Sequence, residues 1–272
     1  MYYLRQIRHM VYRWKMPSHQ QRNSNPIIMT GNQKSGTSAI AALLAKSVDE
    51  EATIDIFYRL GRYQYKLIDG LVSFEHFLKV SSKYWRSKII KEPDFILFMK
   101  EIRSEFPSSP IVFIVRDPAS NIRSLLNRFG MSAQQAKEFK IGQDQLNVPN
   151  NPLWNLMVDT SRTPYNGDSL IELLSNRWVY CVDSIASITA PVVTVRYEDF
   201  LTNKVLFIED LASQLGIRTV VDIAPYVDKQ YQPRGQKISS REFFDTEQLS
   251  LIESICGEKM KSLGYPVAGS ES

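Results

Sequence analysis

Residues 26–45 read PIIMTGNQKSGTSAIAALLA, and this stretch decides the fold. The short apolar run Ile27-Ile28-Met29, bounded by Pro26 and Gly31, predicts a buried strand. Ala39, Ile40, Ala42, Leu43 and Leu44 form an apolar face in a helix-favouring run, so a helix opens inside the loop between them. That loop holds Gly31, Gly36, one lysine and three hydroxyl residues, Ser35, Thr37 and Ser38. The two glycines let the backbone turn tightly and approach a ligand. The first helical turn leaves N–H groups pointing into the loop, which is an anion site best suited to phosphate. The competing reading is an ordinary strand-to-helix turn capped by serine and threonine.

Gly31 and Gly36 have the spacing of the triphosphate loop G-x-x-x-x-G-K-[ST], but position 37 is threonine where that loop needs lysine. The only lysine, Lys34, comes two residues before the second glycine. A lysine after that glycine reaches the β- and γ-phosphates, and the next hydroxyl holds magnesium. Its displacement argues against both tasks, so the sequence predicts a phosphate cradle not built for a magnesium triphosphate, and no metal site.

The chain has 272 residues, enough for one α/β domain with a sizeable core or two small ones. Its two cysteines, Cys181 and Cys256, sit far apart in predicted helices and give neither a disulfide framework nor metal-ligand spacing, which fits a reducing compartment. No run is as long as a membrane span and the start does not resemble a secretion signal, so a cytoplasmic protein is expected. A Golgi-lumen protein trimmed of its anchor would read the same way. Net charge is +4, yet residues 1–25 carry Arg5, Arg8, Arg13, Lys15 and Arg22 with no acid, leaving the rest at about −1. The body is therefore not a general polyanion binder, and no nucleic-acid partner is expected. Within the arm, Tyr3, Ile7, Met10, Val11 and Trp14 recur at helical spacing among basic residues. Such a segment can lie on a membrane surface or dock on a partner, or it can simply cover part of the domain.

Outward from the loop, TIDIF (53–57) alternates apolar and polar residues and predicts a second strand carrying Asp55 between Ile54 and Ile56. Residues 58–85 read as helical and aromatic-rich, and His76 beside two phenylalanines reads as structural. SKIIKEPDF (87–95) predicts a short strand ending at Lys91-Glu92-Pro93, then a helix capped by Asp94. IVFIV (111–115) is the strongest buried-strand run; it ends in Arg116-Asp117-Pro118 and leads into a helix. Ligands of a parallel α/β sheet bind at the carboxyl ends of strands, so Lys34, Lys91 and Arg116 should converge on one crevice, unless Arg116 pairs structurally with Asp117. Residues 129–168 are rich in Gln, Asn and Pro and read as an insertion over the site, an acceptor-binding lid. A long helix over 169–188 follows, then VVTVRYEDF as the last parallel strand leading into a helix over 201–215. A basic glycine loop (231–241) and a C-terminal amphipathic helix packing on the sheet complete a single three-layer α/β domain over 26–268. Its central sheet is mostly parallel and flanked by helices.

With these residues placed, the chain resembles sulfotransferases that use 3′-phosphoadenosine-5′-phosphosulfate (PAPS). QKSGTS resembles the family's 5′-phosphosulfate loop, and RDPASNIRS its 3′-phosphate element, an arginine closing a strand with a serine eight residues on. KEPDF is similar to a segment of the carbohydrate-type branch, VRYEDF to a strand-end motif, and PRGQK to a late basic loop. The resemblance spans about residues 26–265. It implies that Lys34 contacts the oxygen bridging phosphorus and sulfur, and that Ser35, Gly36, Thr37 and Ser38 bind the 5′-phosphate. Arg116 and Ser124 would hold the 3′-phosphate, with Arg234, Gly235 and Lys237 closing over it, Tyr197 on the nucleoside side and Lys91 at the sulfuryl group. The small-molecule branch places a histidine base two residues after the equivalent of Lys91; here that residue is Pro93. A carboxylate base is implied instead, Asp55 first, with Glu51, Glu92 and Asp94 as alternatives. The acceptor, a small molecule, glycan or lipid carrying a hydroxyl or amine, is not readable. A P-loop kinase or hydrolase and a non-catalytic nucleotide binder are the competing functions.

Overall fold

The computed structural model describes residues 22–61, 63–148, 152–188, 191–228 and 238–267. Five strands form one sheet: β1 (Ile27–Gly31), β2 (Ala52–Ile54), β3 (Ile89–Lys91), β4 (Ile111–Val115) and β5 (Val192–Arg196). Their order is β2-β3-β1-β4-β5, and every pairing is parallel. The helices between them are α1 (Thr37–Ser47), α2 (Ile56–Arg59), α3 (Tyr63–Ile68), α4 (Phe74–Val80), α5 (Met99–Glu105), α6 (Pro118–Phe129), α7 (Ala133–Glu138) and α8 (Leu170–Ala186). After β5 come α9 (Tyr197–Thr202), α10 (Lys204–Gln214), α11 (Ser240–Phe243) and α12 (Thr246–Ser262).

The run IVFIV is continuous because both faces of β4 are covered. Ile111, Phe113 and Val115 point into one core, and Val112 and Ile114 into the other. The thinner layer is built on α1 and α10, with Ile40, Leu43, Leu44, Ile208 and Leu211 against the sheet. The thicker layer takes its side chains from α2, α4–α6, α8 and α12. Helices on both faces of a parallel sheet make the three-layer architecture the sequence predicted. Because the chain fills β2 and β3 on one side of β1 before crossing to β4, the sheet's switch point lies at the carboxyl ends of β1 and β4.

Four expectations need correction. The second strand stops at Ile54, and Asp55 lies beyond it with φ +58°, at the N-cap position of α2 but with no side-chain capping bond. Ile56 and Phe57 are both buried, so the apparent alternation in TIDIF marks a strand running into a helix. The turn after β3 is capped by Glu92, not Asp94: the Asp94 N–H donates to Glu92 Oε1 at 3.4 Å. The YEDF end of the last expected strand is instead a short helix, α9, which starts directly from the last sheet residue, and the expected 201–215 helix is α10 (Lys204–Gln214). The C-terminal helix packs on α8 and α6 instead of on the sheet, burying Ile252, Cys256 and Met260.

Residues 58–85 break into α3, α4 and a 3-10 turn (Ser82–Trp85). They are anchored by an aromatic cluster in which Phe57 stacks on Phe77 at 5.2 Å and Trp85 on Phe106 at 5.0 Å. His76 is part of this scaffold, its ring stacked on Tyr63. The N-terminal arm through residue 21 and the loop residues Arg234, Gly235 and Lys237 lie outside the described residues.

Candidate active site

The loop between β1 and α1 is held by its backbone. Gly31 has φ +151°, and a Cβ there would sit 2.2 Å from the carbonyl oxygen of Ile114 on β4. Gly36 has φ +82°, and a Cβ there would meet the Tyr197 ring at 2.2 Å. Lys34 is also left-handed, at φ +70°. Its carbonyl oxygen accepts a hydrogen bond from Arg116 Nη1 at 3.0 Å, which ties the loop to the end of β4. The Arg116 guanidinium stacks on the Tyr197 ring at 4.9 Å, so loop, β4 and β5 meet at one point.

A residue not singled out in the sequence braces this arrangement. Asn121 of α6 is fully buried; its amide donates to Gln33 O at 2.9 Å and Ser35 Oγ at 3.0 Å, and accepts from Asn32 Nδ2 at 2.9 Å. Asp117 caps α6 through the Ser120 N–H at 2.7 Å, and no ion pair joins it to Arg116 among the described residues. The Asp117 N–H donates to Glu198 on α9 at 3.0 Å, and Trp178 Nε1 donates to Arg116 O at 2.9 Å. Ser124 is half-buried on α6.

Lys34, Lys91 and Arg116 do converge. Burial first, and then the positive charges of Arg128, Arg116 and Lys91, together lower the Lys34 ammonium to about 8. Like charges gathered in a half-buried site are what a multiply charged anion neutralises.

Beside the loop, Lys91 is 2% exposed; its Nζ donates to Ser38 Oγ at 3.0 Å and pairs with Asp55 Oδ1 at 2.6 Å. Asp55, Glu92 and Asp94 line one cavity with Lys34, Thr37 and Lys91. Glu51 precedes β2, at the opposite end of the strand, and does not line it. Glu92 is buried, with Oε2 accepting the Phe57 N–H at 3.0 Å. Burial pushes its carboxyl up to about 8, reinforced by Asp55 and Asp94 and opposed by Lys91 and the Phe57 N–H. Asp94 is engaged by Arg177 at 3.3 Å, and Gln33 bonds to both partners. Arg177 sits at 1% exposure on α8 and was missed in the sequence. Its signal was available, a lone charge inside the apolar helical run LLSNRWVYC.

The cavity encloses about 130 Å³. Residues 58–85 and the expected lid both contribute walls: Tyr58 and Gln64 from the first, Leu153, Trp154, Leu156, Met157 and Tyr165 from the second. No helix among the described residues is long and apolar enough to cross a membrane.

No family profile matches this chain, and no curated protein matches it in sequence. Its structure is similar to that of a sulfotransferase from Alicyclobacillus acidocaldarius, with TM-score 0.51 and 15% identity over 90% of this chain and 98% of the other. Sulfotransferase STF9 from Mycobacterium avium gives TM-score 0.57 and 12% identity over 90% of this chain and 78% of that one. Mouse sulfotransferase SULT7A1 complexed with PAP gives 0.50 and 15% over 89% and 85%. The fold is thus the three-layer α/β fold of sulfotransferases.

Proposed function

We propose that the protein transfers a sulfuryl group from PAPS to a hydroxyl or amine of an acceptor. The observation that carries this reading is the position of Arg116. Its Nη1 holds the loop at Lys34 O, while its Nε is buried without a partner among the described residues. A cation with unused donors beside a phosphate cradle is a second anion site, and a nucleotide with separate 3′ and 5′ phosphates needs two. The residues present fit that donor. Ser35, Gly36, Thr37 and Ser38 hold the 5′-phosphate through N–H and hydroxyl groups at the start of α1. Arg116 and Ser124 hold the 3′-phosphate, and Tyr197 packs on the nucleoside side. Arg234, Gly235 and Lys237 are proposed to close over that phosphate from their loop.

When bound, PAPS supplies the sulfuryl group, and 3′,5′-ADP is the leaving product. Lys34 places its positive charge at the oxygen that departs with the phosphate, stabilising the charge that develops there. Asp55 takes the proton of the acceptor hydroxyl as the new S–O bond forms. It is preferred over Glu92 because its side chain is 44% exposed at the cavity. Glu92 is 4% exposed, and its oxygens are occupied by the Phe57 and Asp94 N–H groups. Once Asp55 is protonated, Lys91 loses its counter-ion and its ammonium turns to the sulfuryl oxygens. The base departs from the histidine pattern because Pro93 holds the turn where that side chain would stand.

Calorimetry with 3′,5′-ADP and with ATP–Mg tests the donor. The expected result is micromolar affinity for the first, about −8 kcal/mol. Arg116→Ala should weaken it by roughly 1.5–3 kcal/mol, the worth of a charged hydrogen bond. Tighter binding of ATP–Mg would overturn the reading in favour of a triphosphate enzyme. Binding of 3′,5′-ADP with no transfer to any acceptor would leave a nucleotide binder.

A further inference from the structure

The cavity behind Asp55 contains polar atoms that sulfuryl transfer does not use. Gln64, on α3, is 0% exposed, and neither its Oε1 nor its Nε2 has a hydrogen-bond partner among the described residues. Trp154, on the 3-10 turn Pro152–Val158, has its Nε1 buried and equally unpartnered. Both residues line the cavity, one from each of the segments that wall it. Buried side-chain polar atoms are nearly always paired, and an amide orphaned at both ends is a strong departure from that rule. A group that has lost water and gained nothing in the free protein is set to gain a partner when a ligand arrives.

The remaining walls say what kind of ligand. Phe57, Leu97, Leu156, Met157 and Tyr165 supply apolar walls beside the polar ones. Two of the cavity's cations are matched in pairs, Lys91 with Asp55 and Arg177 with Asp94, while Lys34 lines the wall next to the loop. Glu92, whose carboxyl burial pushes up to about 8, adds little charge at neutral pH. The volume, about 130 Å³, is well below the ~300–1,000 Å³ of clefts that enclose drug-sized ligands.

We infer that this cavity takes a small uncharged hydroxyl compound with an apolar, ring-sized body and a carboxamide, whose donor and acceptor pair with the Gln64 amide while Trp154 Nε1–H donates to a ligand oxygen. The identity of the hydroxyl as the group modified rests on the sulfuryl-transfer reading; the amide recognition does not. A primary carboxamide and the Gln64 amide form two antiparallel N–H···O bonds, satisfying both orphan atoms at once. A fatty acyl chain fits poorly, because it would leave the orphaned polar atoms unpaired.

Three phenols alike in ring and hydroxyl test this: 4-hydroxybenzamide, 4-hydroxybenzoate and 4-methylphenol. Their binding is measured by calorimetry on the whole protein, with and without 3′,5′-ADP, and their turnover is measured with PAPS. The amide is expected to bind at least about tenfold more tightly than the other two. Gln64→Met, similar in length but without hydrogen-bonding groups, should erase that preference. It should also raise the melting temperature, because two orphaned polar atoms leave the core. Trp154→Phe should weaken the amide probe by roughly threefold. Equal binding of the three phenols, no binding of the amide, or an amide preference that survives Gln64→Met each overturns the inference. If 3′,5′-ADP does not bind, the donor reading falls, and the phenol series on the nucleotide-free protein still decides the amide pocket.

Discussion

The two halves of the crevice, one at the loop and one behind Asp55, are built on opposite principles. At the loop, unused hydrogen-bonding capacity belongs to a cation: Arg116 keeps a buried Nε beside Lys34 with no partner among the described residues. Behind Asp55, cations are consumed by carboxylates, and the unused capacity is neutral, the amide of Gln64 and the indole of Trp154. On the proposed reading one half recognises charge, and such recognition is long-ranged and salt-dependent. The other recognises shape and hydrogen-bond direction, which act only on contact.

The contrast is open to direct attack, and the largest effect lies at the boundary between the halves. Asp55→Asn should reduce kcat by about 10²–10⁴ while leaving 3′,5′-ADP affinity nearly unchanged, since proton abstraction is lost and the phosphate contacts are not. Steady-state kinetics and calorimetry on the same variant separate these outcomes, and full activity would move the base elsewhere. Within the charged half, Gly36→Ala should cost about 2–4 kcal/mol in stability, combining a left-handed Cβ penalty with overpacking against Tyr197. Tyr197→Ala should recover the overpacking part, so a double-mutant cycle by denaturant melts should show coupling between the two sites. Asn121→Ala should cost about 1–3 kcal/mol and weaken nucleotide binding with it, because Gln33 O and Ser35 Oγ lose their brace.

The smallest effect is also the most diagnostic. Lys34 has a free-state value of about 8, lowered chiefly by burial and then by neighbouring positive charge. A bound anion favours its protonated form. Affinity for 3′,5′-ADP should therefore be flat below about pH 8 and fall as pH rises through it, approaching tenfold, or about 1.4 kcal/mol, per unit. Lys34→Met should abolish that slope. An uncharged phenol bound in the other half should show no such loss from Lys34.

The charged half was far more legible in the sequence. Strand runs such as IVFIV, the spacing of Gly31 and Gly36, and the strand-ending Lys91 and Arg116 are local signals, and the sheet brought them together as its switch point requires. Asp55 was found as a residue but misplaced on a strand, because a strand running into a short helix imitates alternation over five residues. Asn121 and Arg177 act across the fold: each is a polar side chain on a buried helix face whose partners lie far away in sequence. Gln64 gave no signal at all. It sits between two tyrosines in a short helix, and its meaning depends on what fails to touch it, a property only packing reveals.

The contact between Gly36 and Tyr197 also has a bearing on how the protein is made. The cradle's backbone is specified by the first sixth of the chain, yet the ring that closes on it arrives with β5, more than half the chain later. Closing so long a loop is an entropic cost borne late, after the local helices and the first strand pairs have formed. A nascent chain lacking β5 therefore has the phosphate-loop sequence without the assembled site. If the proposed nucleotide binds only the completed fold, it pulls the last docking step forward by mass action and acts as a folding ligand.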